Sequence, residues 1–309
     1  MSYVTGKLCR VVVPRRLGAL VLSALVVSAL AFGFGTPRAG AESTSTLTTS
    51  GFYLDLGASA SVGYQPTLSD PHGQVTDEGY ANDIVSYEAS RGVSLTLTQL
   101  GCPGESTATM ISGDDSCYRG VGSQLSAAVA FLQSHQNEQG FVTLDLGFND
   151  FHPCLINAPL IQSCVGENIE ELSLQLPYIV NNLEAAAGPH VTFVGVGHYD
   201  PYIADAIHGL SGENFANRSK GVLGRLNATL LYIYSSAGIP MANVSNYFDS
   251  PSRARVHVAG IGDVSSNVLQ VCDLTWMCAR GPYGPNLHPN VLGYSAMAAA
   301  IESQLTAPW

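Results

Sequence analysis

Hydrophobic and polar positions divide the chain into a long apolar opening and a much longer alternating body. Leu17–Phe34 is one apolar run, whereas beyond residue 50 apolar positions recur in short blocks with two different periods. Gly51–Gly57, Val93–Leu100, Phe141–Leu146 and His190–Val196 read as strands. The second alternates apolar and polar side chains, as a half-buried strand does. Leu125, Ala128, Val129 and Leu132 recur at helical spacing, as do Leu172, Leu176, Ile179, Val180 and Leu183, with Pro177 as a kink or restart. Phe215–Tyr234 carries a long helical stripe, Met241–Tyr247 is a candidate last strand, and Asn290–Leu305 reads as a closing helix. Asp249–Met277 has little regular pattern.

Repeated strand–helix order implies a mostly parallel sheet covered by helices on both faces. Ligands in such sheets bind beyond the carboxyl ends of the strands. Three strands end in Gly57-Ala58-Ser59, Gly101-Cys102-Pro103-Gly104 and Gly147-Phe148-Asn149-Asp150, so chemistry is sought there.

The opening predicts a cleaved export signal over residues 1–41. Lys7, Arg10, Arg15 and Arg16 precede the apolar run, and Ala39-Gly40-Ala41 supplies small residues at a peptidase site. A retained anchor is the alternative, since the run nearly spans a bilayer, and Arg15-Arg16 permits twin-arginine export. No other stretch is apolar and long enough to cross a membrane, so no stable insertion is expected after cleavage. Residues 42–50 are a polar leader and 51–309 read as a single domain.

Charge changes the picture of partners. The chain carries −11 at pH 7. Loss of the signal takes Lys+Arg from 13 to 8 against 24 Asp+Glu, a net charge of −16, with Lys220 the last lysine. Such a surface repels nucleic acid and anionic membranes, and points to an acidic habitat. Cys9 leaves with the signal. Cys102 and Cys117, Cys154 and Cys164, and Cys272 and Cys278 fall as three local pairs, although six cysteines formally allow 15 pairings. None has C-x-x-C spacing or companion histidines, so neither a metal nor a cofactor is expected. As disulfides, loops of this size contribute roughly 2–3 kcal/mol each and imply an oxidising, extracellular compartment.

Ester hydrolysis by serine needs a nucleophile on a tight turn, a base, and donors aimed at the developing oxyanion. Ser59 follows a strand in LDLGASASVGY, where Gly57 lets the chain turn. Gly101 ends the next strand and can present its amide; Asn149 offers a carboxamide; His288, in PNLHPNVLGY, lies just before the last helix. Singly, each has a plainer explanation as a turn, strand end, cap or surface residue. Together, their order and strand-end placement favour a site.

These blocks resemble the SGNH/GDSL hydrolases, in particular secreted actinobacterial lipases and esterases. YLDLGASASVGY is similar to the first family block, LGCPGEST to the second, LDLGFNDF to the third and NLHPNVLGYSAMA to the last, covering roughly Tyr53 to Ala300. The resemblance implies a flavodoxin-like three-layer α/β/α sandwich. It also implies a nucleophile at Ser59, oxyanion donors at the Ser59 and Gly101 amides and the Asn149 side chain, and a base at His288. Its substrates would be small-molecule or lipid esters. Two positions depart from the family. Gly-Asp-Ser is Gly57-Ala58-Ser59 here, which implies altered support of the turn. The aspartate expected before the histidine is absent, with Pro285 and Asn286 in its region. A Ser-His dyad oriented by a backbone carbonyl is the expected solution, with Asn286 as the other candidate orienter. Asp273 could swing in, but reads better as a surface acid; Asp200 either lines the site with His198 and Tyr199 or makes a turn before Pro201.

Rival chemistries lack their signatures. The chain has no G-x-S-x-G elbow, no H-E-x-x-H and no P-loop, and Gly195-Val196-Gly197 lacks the third glycine of a dinucleotide fingerprint. The alternatives that remain are a secreted binding protein on the same fold and an acetyl-carbohydrate esterase. Phe148, Phe151 and Tyr199 lean towards acyl chains or else belong to the core. Asn217, Asn227 and Asn243 head N-x-S/T sequons.

Overall fold

A computed structural model describes residues 49–156, 161–258 and 262–305. The expected signal lies outside them, as does the leader apart from Thr49 and Ser50. In chain order the elements begin with β1 (Thr49–Gly57), α1 (Tyr80–Ser90), β2 (Val93–Gln99), α2 (Thr107–Ser112) and α3 (Gln124–Ser134). β3 (Gly140–Asp145), α4 (Phe148–Ile156), α5 (Ile161–Ala186), β4 (Val191–Val196) and α6 (Gly209–Ser236) follow. The C-terminal part holds β5 (Met241–Ala242), α7 (Val244–Tyr247), β6 (Arg255–Val258), β7 (Gly262–Ser265), α8 (Ser266–Leu274) and α9 (Val291–Glu302).

β1 to β5 form a five-stranded parallel sheet in the order β2-β1-β3-β4-β5. Side chains alternate across it. Leu54, Leu56, Val142 and Leu144 bury into one core with residues of α3, α5 and α6. Tyr53, Phe141, Val194 and Val196 bury into the other with residues of α1 and α9. The result is the expected three-layer α/β/α arrangement, with β1 and β3 as neighbours at its centre. Asp55 is buried within the second face, where it accepts from Tyr80 Oη at 2.9 Å and Thr143 Oγ1 at 2.7 Å. Burial raises its carboxyl well above the usual range.

The structure differs from expectation in the C-terminal third. Met241–Tyr247 is not one strand: β5 stops after two residues and Asn243 caps α7 through Asn246 N. The stretch after Asp249 is not irregular, since it holds the β6–β7 hairpin and α8. Short amphipathic elements joined by polar turns leave too few repeats for a period to emerge. Pro177 lies inside α5 without ending it.

Disulfides join Cys102 to Cys117, Cys154 to Cys164 and Cys272 to Cys278. The second ties α4 to α5, and the third ties α8 to the chain leading towards His288. Among the described residues no helix is long and apolar enough to cross a membrane.

Candidate active site

The carboxyl ends of β1 and β3 position the first and third blocks. β1 ends at Gly57, whose φ of 146° belongs to glycine. A Cβ there would meet Asp145 O of β3 at 2.3 Å. The chain turns into Ser59, which precedes a short 3-10 turn over Ala60–Val62. Gln124, fully buried at the start of α3, holds this turn from below. Its Oε1 accepts from Gly57 N at 2.7 Å, and its Nε2 donates to Gly57 O at 3.0 Å and to Glu105 Oε2 at 2.7 Å. Ser61 Oγ donates to Ala58 O at 2.7 Å. With alanine at 58, Gln124 and Ser61 provide the turn's support.

Ser59 Oγ lies 2.9 Å from His288 Nε2. On the other side of the ring, Nδ1 is 2.7 Å from Asn286 Oδ1. The same oxygen accepts from the His288 backbone amide at 3.0 Å, which fixes that end of Asn286 as the carbonyl. Nδ1 must therefore carry a proton and donate it, leaving the Nε2 lone pair facing the serine hydroxyl. The orienter is thus a side-chain carbonyl and not a backbone one, because residue 286 folds its amide back over the residue two positions on. Tyr64 packs against the imidazole with centroids 4.8 Å apart. Burial, and then the neighbouring His152, lower His288 to about 4, so the imidazole is neutral at ordinary pH.

Asn149, in the first turn of α4, donates from Nδ2 to Glu105 O at 2.9 Å, which orients its amide. Among the described residues the backbone amides of Ser59 and Gly101 donate to no other group. Gly101 allows a close approach: a Cβ would stand 1.9 Å from Ser61 Oγ. Ser59, Asn149 and His288 line one small cavity with Phe148, Tyr199 and Met297.

No protein-family model matches the sequence, and no curated protein matches it. Solved structures do. An extracellular lipase from Streptomyces rimosus superposes with a TM-score of 0.52 at 16% identity, over 82% of this chain and 100% of that one. Phospholipase A1 from Streptomyces albidoflavus NA297 gives 0.53 at 16% identity, over 82% and 99%. The lipase Lip_vut3 from a goat rumen metagenome gives 0.51 at 14% identity, over 82% and 96%. The chain has the SGNH/GDSL hydrolase fold.

Within this SGNH fold, Ser59 and His288 stand within hydrogen-bond distance, Asn149 lines the same cavity, Asn286 holds the imidazole, and Gly101 lies beside the Ser59 turn. Asp273 is exposed; its carbonyl accepts from Asn290 Nδ2 at 2.8 Å. Asp200 caps the 3-10 helix Pro201–His208 through Tyr202 N at 3.0 Å and accepts from Ser219 Oγ at 2.8 Å. His198 and Tyr199 do line the cavity. Phe151 is core. Asn227 is not a free sequon: its side chain clamps His198, accepting from the amide at 2.8 Å and donating to the carbonyl at 2.7 Å. Gln124, Glu105 and Tyr64 escaped sequence reasoning, since nothing in their local pattern separates them from caps and core. Among the described residues the side chains with metal-ligand proximity are Cys102, Asp115 and Cys117, whose sulfurs are spent in a disulfide.

Proposed function

We propose that the chain is an exported carboxylic ester hydrolase working through an acyl-enzyme on Ser59. The observation that carries this reading is the 2.9 Å contact between Ser59 Oγ and a neutral His288 Nε2. His288 takes the hydroxyl proton as Oγ bonds to the acyl carbon. The amides of Ser59 and Gly101 and the Asn149 carboxamide receive the oxyanion. The ester C–O bond then breaks and the alcohol leaves with the proton from His288. Water, deprotonated by the same ring, releases the acid and restores the serine.

The similar solved structures are two lipases and a phospholipase, which supports ester chemistry on this scaffold. Three disulfides and the signal-like residues 1–41 support export, with 51–309 acting as one catalytic domain. A serine-directed fluorophosphonate should modify Ser59, and Ser59→Ala should abolish hydrolysis of a chromogenic ester while keeping the native melting profile. Substantial residual turnover in a folded Ser59→Ala protein would remove the assignment; no labelling and no turnover in the native chain would favour a binding role.

A further inference from the structure

The cavity beside Ser59 is short of room. Its volume is about 40 Å³. One water needs roughly 10–15 Å³, so there is space for about three heavy atoms. Ser59 and His288 both line it, so it is the space next to the reacting oxygen into which the substituent of an acyl carbon bonded to Oγ can extend.

The walls are held by packing on several sides. Met297 is only 2% exposed and belongs to the core between the sheet and α9. Tyr199 stacks on Phe248 with centroids 4.2 Å apart and planes at 9°. Its hydroxyl donates to Leu287 O at 2.7 Å, tying this wall to the segment that carries His288. Phe148 opens α4, and its ring lies 5.9 Å from that of His198. Walls packed on their far sides do not swing away to admit extra methylenes without cost.

We infer that the acyl group carried to Ser59 is acetyl and that the alcohol part of the ester stays outside the cavity. This rests on the acyl-enzyme reading above and specifies its substrate class. Acetyl places a single methyl beyond its carbonyl, which the cavity accepts. Butyryl adds two carbons and octanoyl six, which must displace Tyr199 or Met297 or lie in water, where their burial contributes nothing to the transition state.

The test is kcat/KM of the purified chain on p-nitrophenyl acetate, butyrate and octanoate, with fluorophosphonate labelling in parallel. Acetate is expected to lead, exceeding octanoate by about tenfold or more. Met297→Ala is expected to narrow the gap between acetate and butyrate; if that variant does not fold, the native series decides alone. Octanoate cleaved as well as acetate overturns the acetyl assignment while labelled Ser59 leaves the esterase standing. Labelling without acetate turnover also overturns it. Absence of both labelling and turnover overturns the two readings together.

Discussion

Asn286 Oδ1 holds His288 Nδ1 at 2.7 Å, in the place where a carboxylate would carry charge. A carbonyl fixes the tautomer and the ring plane without steadying the imidazolium electrostatically. Asn286→Asp should therefore raise His288 from its value of about 4, since an adjacent opposite charge favours the protonated ring. The acid limb of kcat/KM should move to higher pH in this variant. Asn286→Ala should cost about tenfold, the worth of one hydrogen bond, against about 10²–10⁴ for His288→Ala. Equal losses would mean that His288 cannot act without the orientation Asn286 gives it.

The proposed hydrolysis should tolerate acid. With His288 at about 4, the base stays unprotonated through mildly acidic pH, and kcat/KM on a neutral ester should hold down to about pH 5 and fall below it. A pH–rate profile checks this, and an acid limb near the ordinary histidine value of about 6.5 would contradict it.

Asn149 Nδ2 is held by Glu105 O at 2.9 Å, leaving its second proton for the oxyanion. Asn149→Ala should lower kcat by about 10²–10³, or about 2.7–4 kcal/mol, with KM little changed, because the interaction is strongest with the developing charge. Steady-state kinetics reads the split. A change confined to KM would mean that the side chain binds the ground state instead.

The strand-end turns were legible because glycine and small residues interrupt apolar blocks there, and Gly57, Gly101 and Gly147 mark the ends of β1, β2 and β3 within a few residues. Ser59 and His288 were legible as a pair because each sits in a block with its own pattern. The orienter was not. Asn286 and the backbone carbonyls near it are equally close in sequence, and only the fold-back of its amide onto His288 N decides between them. Gln124 was hidden for a related reason. Its position looks like the polar start of a helix, and its two contacts with Gly57 span 67 residues of chain. Long-range polar contacts leave no periodicity to read.

Stability should be greatest on the acid side of neutrality. Burial pushes Glu105 and Asp200 up to about 7, and burial together with Glu88 pushes Glu302 to about 8. Carboxyls raised in the folded state contribute stability that is fully present below their unfolded values, near 4, and is lost as pH rises through 7 to 8. His288 works the other way, its contribution falling as pH drops from about 6.5 towards about 4. His152, also lowered by burial, acts with His288. Burial likewise raises Asp55, Asp145, Asp150 and Asp205. With the three above, these carboxyls outnumber the two histidines, so the melting temperature at pH 5 should exceed that at pH 8. Calorimetry at the two pH values, on Ser59→Ala to exclude turnover, measures the difference; a higher value at pH 8 would show that these carboxyls ionise freely in the fold.

Asn227 supplies the last test, because its sequon and its clamp can be separated. The side chain satisfies both the amide and the carbonyl of His198, at 2.8 Å and 2.7 Å, where β4 gives way to the cavity wall. Asn227→Ala leaves two part-buried backbone groups without partners, at about 1–3 kcal/mol each, and should lower the melting temperature by several degrees. Thr229→Ala removes the sequon but keeps the clamp; Thr229 is partly buried and its hydroxyl donates to Arg225 O within its own helix, so stability should change little. In a glycosylating host, a glycan on Asn227 would replace one of the two Nδ2 protons and would need room at a partly buried nitrogen 2.7 Å from His198 O. Thr229→Ala should therefore raise the yield of folded protein there and leave it unchanged in a bacterial host. Equal yields from native and Thr229→Ala chains in both hosts would mean that the sequon is never used before the clamp closes.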